Sequence, residues 1–119
     1  MTVAHVRFAG DGSWPVAHLD GEIDLSNVDE LIGALETSIG NDAMGLVLDI
    51  SAVTYLDSTG LRLIFRVARQ MQDRQQELRL VVPDTALIWR VLRLSGVIDV
   101  VSVFETVPDA LRPAGASHE

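Results

Sequence analysis

Two neighbouring hydroxyl side chains, Ser58 and Thr59, occupy a part of the chain where phosphate chemistry is favoured. An apolar run over residues 45–51 precedes them and predicts a buried strand, and an amphipathic segment over residues 61–74 follows and predicts a helix. The hydroxyls therefore fall at a strand-to-helix turn, where free N–H groups and the helix dipole attract an oxyanion or a phosphate. A serine at this point can be a helix cap or an acceptor of a phosphoryl group.

Residue types that catalyse reactions are sparse in this chain. Cysteine and lysine are absent, and none of the three histidines stands at metal-ligand spacing from another ligand. Neither a Gly-x-x-x-x-Gly-Lys loop nor a dinucleotide glycine fingerprint occurs. Asp57 could accept a phosphoryl group as in bacterial receiver domains, but the lysine that those domains use is missing. Ser58 lacks the glycine two positions earlier that a nucleophile elbow requires. We therefore expect no enzymatic activity, no metal and no cofactor.

Composition indicates one globular domain. The chain has 119 residues, of which 48% are hydrophobic, enough for a core. Its net charge of −8 argues against direct binding to nucleic acid. No apolar run approaches the ~20 residues of a membrane span, and the N-terminus does not resemble a secretion signal. We expect a domain over residues 1–111, a flexible tail over residues 112–119, no membrane insertion and a cytoplasmic location.

The periodicity of apolar residues predicts an α/β domain in which strands and helices alternate. Strands are expected over residues 3–8, 14–19, 45–51, 77–82 and 97–104, and the first two form a hairpin. Helices are expected over residues 28–39, 61–74, 84–95 and 107–111. Ser26 and Asp84 are the predicted N-caps of the first and third helices, and Gly40 and Gly96 are the predicted stops. Alternation after residue 14 favours a largely parallel sheet.

Helical spacing also suggests which side chains form a surface for a partner. The buried stripe of the helix over residues 61–74 is expected to comprise Leu61, Ile64, Phe65, Ala68 and Met71. Leu63 and Val67 then fall outside the stripe, beside Arg62 and Arg66. Trp89 projects with Arg90 and Arg93 and is a candidate anchor, with packing over the sheet edge or a neighbouring helix as the alternative. Gly60 lowers helix propensity, and one reason to tolerate it is to let another backbone approach.

Three motifs now indicate a family. The segment from Leu48-Asp49-Ile50-Ser51 through Tyr55-Leu56-Asp57-Ser58-Thr59-Gly60-Leu61 resembles the signature of the STAS domain, in particular that of bacterial anti-sigma factor antagonists. Gly21-Glu22-Ile23-Asp24 resembles the family motif after the second strand, and Leu94-Ser95-Gly96-Val97 resembles the motif that ends the third helix. The resemblance covers roughly residues 3–111. It implies a single small domain with a mixed four- to five-stranded sheet and about four helices mainly on one face.

The resemblance also implies a function. The unphosphorylated protein would bind an anti-sigma factor that is a serine kinase, which releases the sigma factor. The kinase would then phosphorylate Ser58 (Thr59 is the weaker candidate), the complex would dissociate, and a PP2C-type phosphatase would restore the active form. Asp24 and Asp57 would flank the acceptor. The expected partner surface comprises Asp24, Asp57, Thr59, Gly60, Arg62, Leu63, Arg66, Trp89 and Arg93. Alternatives are a STAS subunit of a stress-signalling complex or of a lipid-transport ATPase, and a small nucleotide-binding domain.

Overall fold

A five-stranded mixed sheet forms the centre of the molecule, which a computed structural model describes over residues 4–10 and 13–112. Its strands are β1 (Ala4–Gly10), β2 (Pro15–Ile23), β3 (Gly45–Leu56), β4 (Glu77–Val81) and β5 (Ser102–Phe104), in the order β1-β2-β3-β4-β5. The predicted hairpin is confirmed, because β1 and β2 are antiparallel, and the other neighbours are parallel. Val3, where the first strand was predicted to start, residues 11–12 between the first two strands, and residues 113–119 of the predicted tail lie outside the described residues.

The five helices divide unequally between the faces of the sheet. They are α1 (Val28–Ser38), α2 (Ser58–Asp73), α3 (Trp89–Ser95), α4 (Val97–Val100) and α5 (Val107–Ala110). The larger core lies between the sheet and α1–α4, and a smaller cluster on the other face includes Ala110 of α5. The predicted fold class is confirmed. None of the helices within residues 4–10 and 13–112 is long and apolar enough to cross a membrane.

Strand β3 is the centre of both cores. Leu46, Leu48 and Ile50 belong to the larger core, whereas Val47 belongs to the smaller one, and all four are buried. Successive side chains of a strand point to opposite faces, so a continuous apolar run is what a strand covered on both sides requires. The prediction that this strand is buried on both faces is confirmed.

The predicted N-caps of α1 and α3 are wrong. Asn27 precedes α1, and the hydroxyl of the predicted cap, Ser26, donates instead to the Asp24 carboxylate at 2.6 Å. Helix α1 also ends at Ser38, before the predicted stop at Gly40, because Ile39 is extended and buried. Residues 84–88 form turns and α3 begins at Trp89, so Asp84 caps no helix.

The predicted last strand over residues 97–104 is wrong in its first half. Gly96 ends α3 in the left-handed conformation (φ 86°), as predicted, and the chain then forms α4 before β5. Val97 and Val101 are both buried, and the Val101 N–H donates to the Val97 carbonyl at 3.0 Å. The β-branched composition favours a strand, but one helical turn brings both valines into the core.

The ends of β2 and β3 place Asp24 and Asp57 at one edge of the sheet. Strand β3 pairs with β4 only over residues 45–49, but it pairs with β2 as far as Ile23 opposite Leu56. A register irregularity follows Gly21, whose φ of 90° favours glycine. Asp24 and Asp57 immediately follow the paired ends, so both carboxylates lie at the same edge.

Candidate functional site

Asp57 is the N-cap of α2. Its backbone is extended (φ −103°, ψ −168°), and its carboxylate accepts hydrogen bonds from the N–H groups of Thr59 at 2.9 Å and Gly60 at 3.1 Å. The helix therefore begins at Ser58, three residues before the predicted start. A carboxylate at this position satisfies two free donors and interacts favourably with the helix dipole. The capping role that the sequence left open for Ser58 belongs to Asp57.

Ser58 is the first residue of α2 and is exposed. Across residues 4–10 and 13–112, no hydrogen bond or ion pair engages its hydroxyl. Thr59 is half-buried, so the neighbouring hydroxyl is less accessible. The turn thus presents one accessible hydroxyl that the fold itself does not use.

The Asp24 carboxylate shapes the second turn of the site. Its Oδ1 accepts from the Ser26 N–H at 2.9 Å and from the Ser26 hydroxyl at 2.6 Å. Asn27 connects the same turn to β2, because its side-chain N–H donates to the Glu22 carbonyl at 2.8 Å while its Oδ1 accepts from the Asp24 N–H at 3.1 Å. Two ordered turns, each built around a carboxylate, therefore stand next to Ser58.

A cleft of about 190 Å³ lies between α1 and α2, next to these turns. It is lined by Leu25, Val28, Asp29, Ile32, Thr59, Arg62, Leu63 and Arg66. The structure thus brings together four of the predicted partner-binding residues, Thr59, Arg62, Leu63 and Arg66. Within the described residues, neither exposed arginine has a carboxylate within 4.0 Å. Both guanidinium groups therefore keep their hydrogen-bonding capacity for another molecule.

Leu25 belongs to this surface and was missed by the sequence reasoning. It is 78% exposed and lines the cleft beside Thr59 and Arg62. The available indication was a leucine between two polar residues, Asp24 and Ser26, just before a helix. Helical periodicity could not include it, because Leu25 precedes the helix.

The predicted exposure of Leu63 and Val67 is wrong. Both are 1% exposed in the larger core, whereas Phe65, expected in the buried stripe, is 38% exposed. The buried stripe of α2 runs instead through Gly60, Leu63, Ile64, Val67 and Met71, because α2 packs against α1 as well as the sheet. Leu63 forms part of the cleft floor and is not a surface contact.

Gly60 is buried against the chain's own side chains. A Cβ at this position would lie 2.3 Å from Leu56 Cδ1 and 3.3 Å from Ile23 Cγ2. The close approach that glycine permits is therefore internal, between α2 and the ends of β2 and β3. The expectation that Gly60 lets a partner's backbone approach therefore gives way to an internal packing role.

Comparison with protein families identifies the fold. The family model of the STAS domain matches residues 6–110 of this chain. The chain belongs to the STAS domain family.

Named relatives of this STAS domain are regulators of sigma factors. The anti-sigma-B factor antagonist of Listeria monocytogenes is 30% identical over 90 residues, which cover 72% of this chain and 78% of that protein. BtrV of Bordetella bronchiseptica is 32% identical over 63 residues, which cover 53% of this chain and 54% of that protein. This chain therefore aligns with about half the length of BtrV.

Solved structures show the same fold. An anti-sigma factor antagonist from Mycobacterium paratuberculosis superimposes with a TM-score of 0.79 at 24% identity, covering 92% of each chain. SpoIIAA in its unphosphorylated form superimposes with a TM-score of 0.73 at 18% identity, covering 90% of this chain and 93% of that chain. The Bacillus protein SpoIIAA has also been solved in its phosphorylated form.

The second predicted contact region of this STAS domain lies on α3, where the structure shows which side chains are buried and which are exposed. Trp89 is half-buried and packs against the larger core, which favours the packing alternative, and its contact with a partner stays a prediction. Leu87 and Leu94 are instead the exposed apolar residues here, at 76% and 70%. Arg93 is exposed, and its contact with a partner stays a prediction.

Proposed function

We propose that this STAS domain is an anti-sigma factor antagonist that is switched by phosphorylation of Ser58. The unphosphorylated form binds an anti-sigma factor serine kinase and frees the sigma factor, and the phosphorylated form does not bind. The observation that carries the proposal is an exposed Ser58 hydroxyl whose capping role is taken by Asp57. Modification of that hydroxyl leaves the bonds that begin α2 intact. The named relatives support the same class of function.

The phosphoryl transfer involves only the Ser58 side chain of this protein. Its Oγ attacks the γ-phosphorus of ATP, the bond from that phosphorus to the bridging oxygen of ADP breaks, and the hydroxyl proton passes to a base of the kinase. A PP2C-type phosphatase reverses the modification by hydrolysis. The domain supplies an accessible acceptor on a rigid turn, and no metal or cofactor of its own is required.

Electrostatics explains how the modification prevents binding. Phosphorylation adds about −1.5 to −2 charges at pH 7 beside the carboxylates of Asp24 and Asp57. A partner surface that fits a neutral hydroxyl there meets a dianion instead. One like charge at ~4 Å is worth up to ~4 kcal/mol at an effective dielectric constant near 20. A net penalty of ~3 kcal/mol weakens binding about 100-fold, so no large conformational change is needed.

The proposed binding surface comprises the two turns and the adjacent cleft. Asp24, Asp57 and Thr59 surround the acceptor, Leu25 supplies exposed apolar area, and Arg62 and Arg66 supply cations. Gly60 and Leu63 contribute through the shape that they give this surface. Arg93 on α3 belongs to the outer part of the proposed contact. A kinase that uses ATP and a sigma factor place the protein in the cytoplasm.

The test uses the wild-type protein and the variant Ser58→Ala as baits in host lysate. Bound proteins are identified by mass spectrometry, and each purified candidate kinase is incubated with both baits and ATP. On Phos-tag gels, the wild type is expected to give one retarded band and Ser58→Ala none. Thr59→Ala is the matched control and is expected to behave as the wild type. A retarded band from Ser58→Ala contradicts the proposal. So does the absence of a retarded wild-type band with all of the captured ATP-binding partners.

A further inference from the structure

Arg62 lies one helical turn after Ser58 on the same face of α2. Residues four apart on a helix are neighbours, with Cβ atoms about 6 Å apart. We propose that Arg62 binds the phosphate of phospho-Ser58 within the same chain, so that the modified protein holds its own phosphate in an intramolecular ion pair. This inference rests on the proposed function and names the residue that receives the new charge.

The start of α2 cannot itself receive the phosphate fully. The N–H groups of Thr59 and Gly60 already donate to the Asp57 carboxylate, and the Leu61 N–H donates to the Asp57 carbonyl at 2.9 Å. Three of the backbone donors at this helix N-terminus are therefore occupied. The Asp57 carboxylate also repels a neighbouring dianion. A nearby side-chain cation is therefore the stronger source of attraction for a phosphate on Ser58.

Arg62 is available for this role. It is exposed and has no carboxylate within 4.0 Å in the described part of the chain, although Asp29 lines the same cleft. A guanidinium group can donate two parallel hydrogen bonds to phosphate oxygens, which makes an arginine–phosphate pair stronger than a neutral hydrogen bond. Arg66 lies a further turn away and contributes a weaker, longer-range attraction.

The consequence for the switch is that one modification changes two charges on the surface. The hydroxyl becomes a dianion, and Arg62 turns from a free cation in the cleft into the partner of that dianion. A kinase carboxylate that contacts Arg62 in the unphosphorylated complex loses this contact when Ser58 is modified. The phosphate thus acts by repulsion and by competition for the same guanidinium group.

The test places phosphoserine at position 58 by genetic encoding, so it requires no kinase. The phosphate is titrated by ³¹P NMR in the otherwise wild-type chain, in Arg62→Gln and in Arg69→Gln. Arg69 is the matched control, because it is an exposed arginine on the same helix, with no carboxylate within 4.0 Å among the described residues. The titration midpoint of the wild type is expected about 0.3 pH unit below that of Arg62→Gln, since a helical ion pair favours the dianion. Arg69→Gln is expected to match the wild type.

The possible results separate the two proposals. Equal midpoints in the wild type and Arg62→Gln overturn the intramolecular pair, whatever a kinase does to Ser58. The same displacement in Arg69→Gln as in Arg62→Gln overturns it too, because the effect is then one of net charge. Arg62→Lys, which keeps the charge without the planar fork, is expected to fall between the wild type and Arg62→Gln. A failure of Ser58 phosphorylation by every captured kinase contradicts the proposed function and leaves this titration result unchanged.

Discussion

Replacing Asp57 and Ser58 separately by alanine tests whether capping and phosphate acceptance belong to different residues. Asp57→Ala removes the acceptor of two backbone N–H groups at the start of α2. Loss of an N-cap costs about 1 kcal/mol, and loss of a favourable charge at the helix dipole adds about 0.3–1 kcal/mol. We expect Asp57→Ala to lower the free energy of unfolding by about 1–2 kcal/mol in total.

Ser58→Ala is expected to change stability little. The Ser58 hydroxyl is exposed and makes no hydrogen bond within the described residues, and surface substitutions of this kind usually stay within about 0.5 kcal/mol. With an unfolding entropy of about 2 cal/mol/K per residue, 1 kcal/mol corresponds to about 4 °C in the melting temperature of a chain this long. Asp57→Ala should therefore melt about 4–8 °C below the wild type, and Ser58→Ala within about 2 °C of it.

The assay is urea denaturation and thermal melting followed by circular dichroism. Asp57→Asn is the matched control, because asparagine keeps a capping oxygen and removes only the charge. Its stability should lie between those of the wild type and Asp57→Ala. Ser58→Ala losing as much stability as Asp57→Ala would refute the division of roles, since the hydroxyl would then hold the helix and its modification would disturb the fold.

Four other substitutions test the packing and the proposed surface. Gly60→Ala should lower the free energy of unfolding by about 1 kcal/mol or more, because its Cβ overlaps Leu56. Gly33→Ala, the control with open space around its Cβ, should stabilise α1 by about 0.5–1 kcal/mol in the same denaturation experiment. A stabilised Gly60→Ala would contradict the packing role. Arg79→Ala should lower the free energy of unfolding by about 3 kcal/mol, because the buried guanidinium group donates to the carbonyls of Ala110 at 2.8 Å and Arg112 at 3.0 Å. A change in melting temperature below 2 °C would be inconsistent with this role. Arg66→Glu should weaken binding to the captured kinase at least tenfold by calorimetry at an unchanged melting temperature, and wild-type affinity would exclude Arg66 from the surface.

Local sequence patterns were sufficient to predict the fold class and the position of the Ser58 hydroxyl at a strand-to-helix turn. The apolar run before Asp57 can bury both faces only as a central strand, and the alternation of strand and helix patterns then requires a largely parallel sheet. Glycine at position 96 ends α3 in the left-handed conformation, as predicted, because this property belongs to the residue itself. The position of Ser58 at the strand-to-helix turn also follows from local sequence, because the hydrophobic period changes there from that of a strand to that of a helix.

The choice between neighbouring residues at the site required the tertiary structure. A sequence with two adjacent capping residues, Asp57 and Ser58, does not say which one caps, because either can accept N–H groups of the first helical turn. The position of β3 beside β2 fixes the end of the strand at Leu56 and leaves Asp57 to cap the helix. The hydroxyl of Ser58 is free for that reason.

The composition of the surface was decided in the same way. Periodicity shows that α2 has a buried stripe, but its direction depends on what packs beside the helix, and contact with α1 as well as the sheet buries Leu63 in place of Phe65. Trp89 is likewise half-buried because the core reaches it, while Leu25 becomes exposed on an ordered turn. The residues themselves determined that a serine hydroxyl stands at a helix start, and only the packing of α2 between α1 and the sheet determined which side chains surround it.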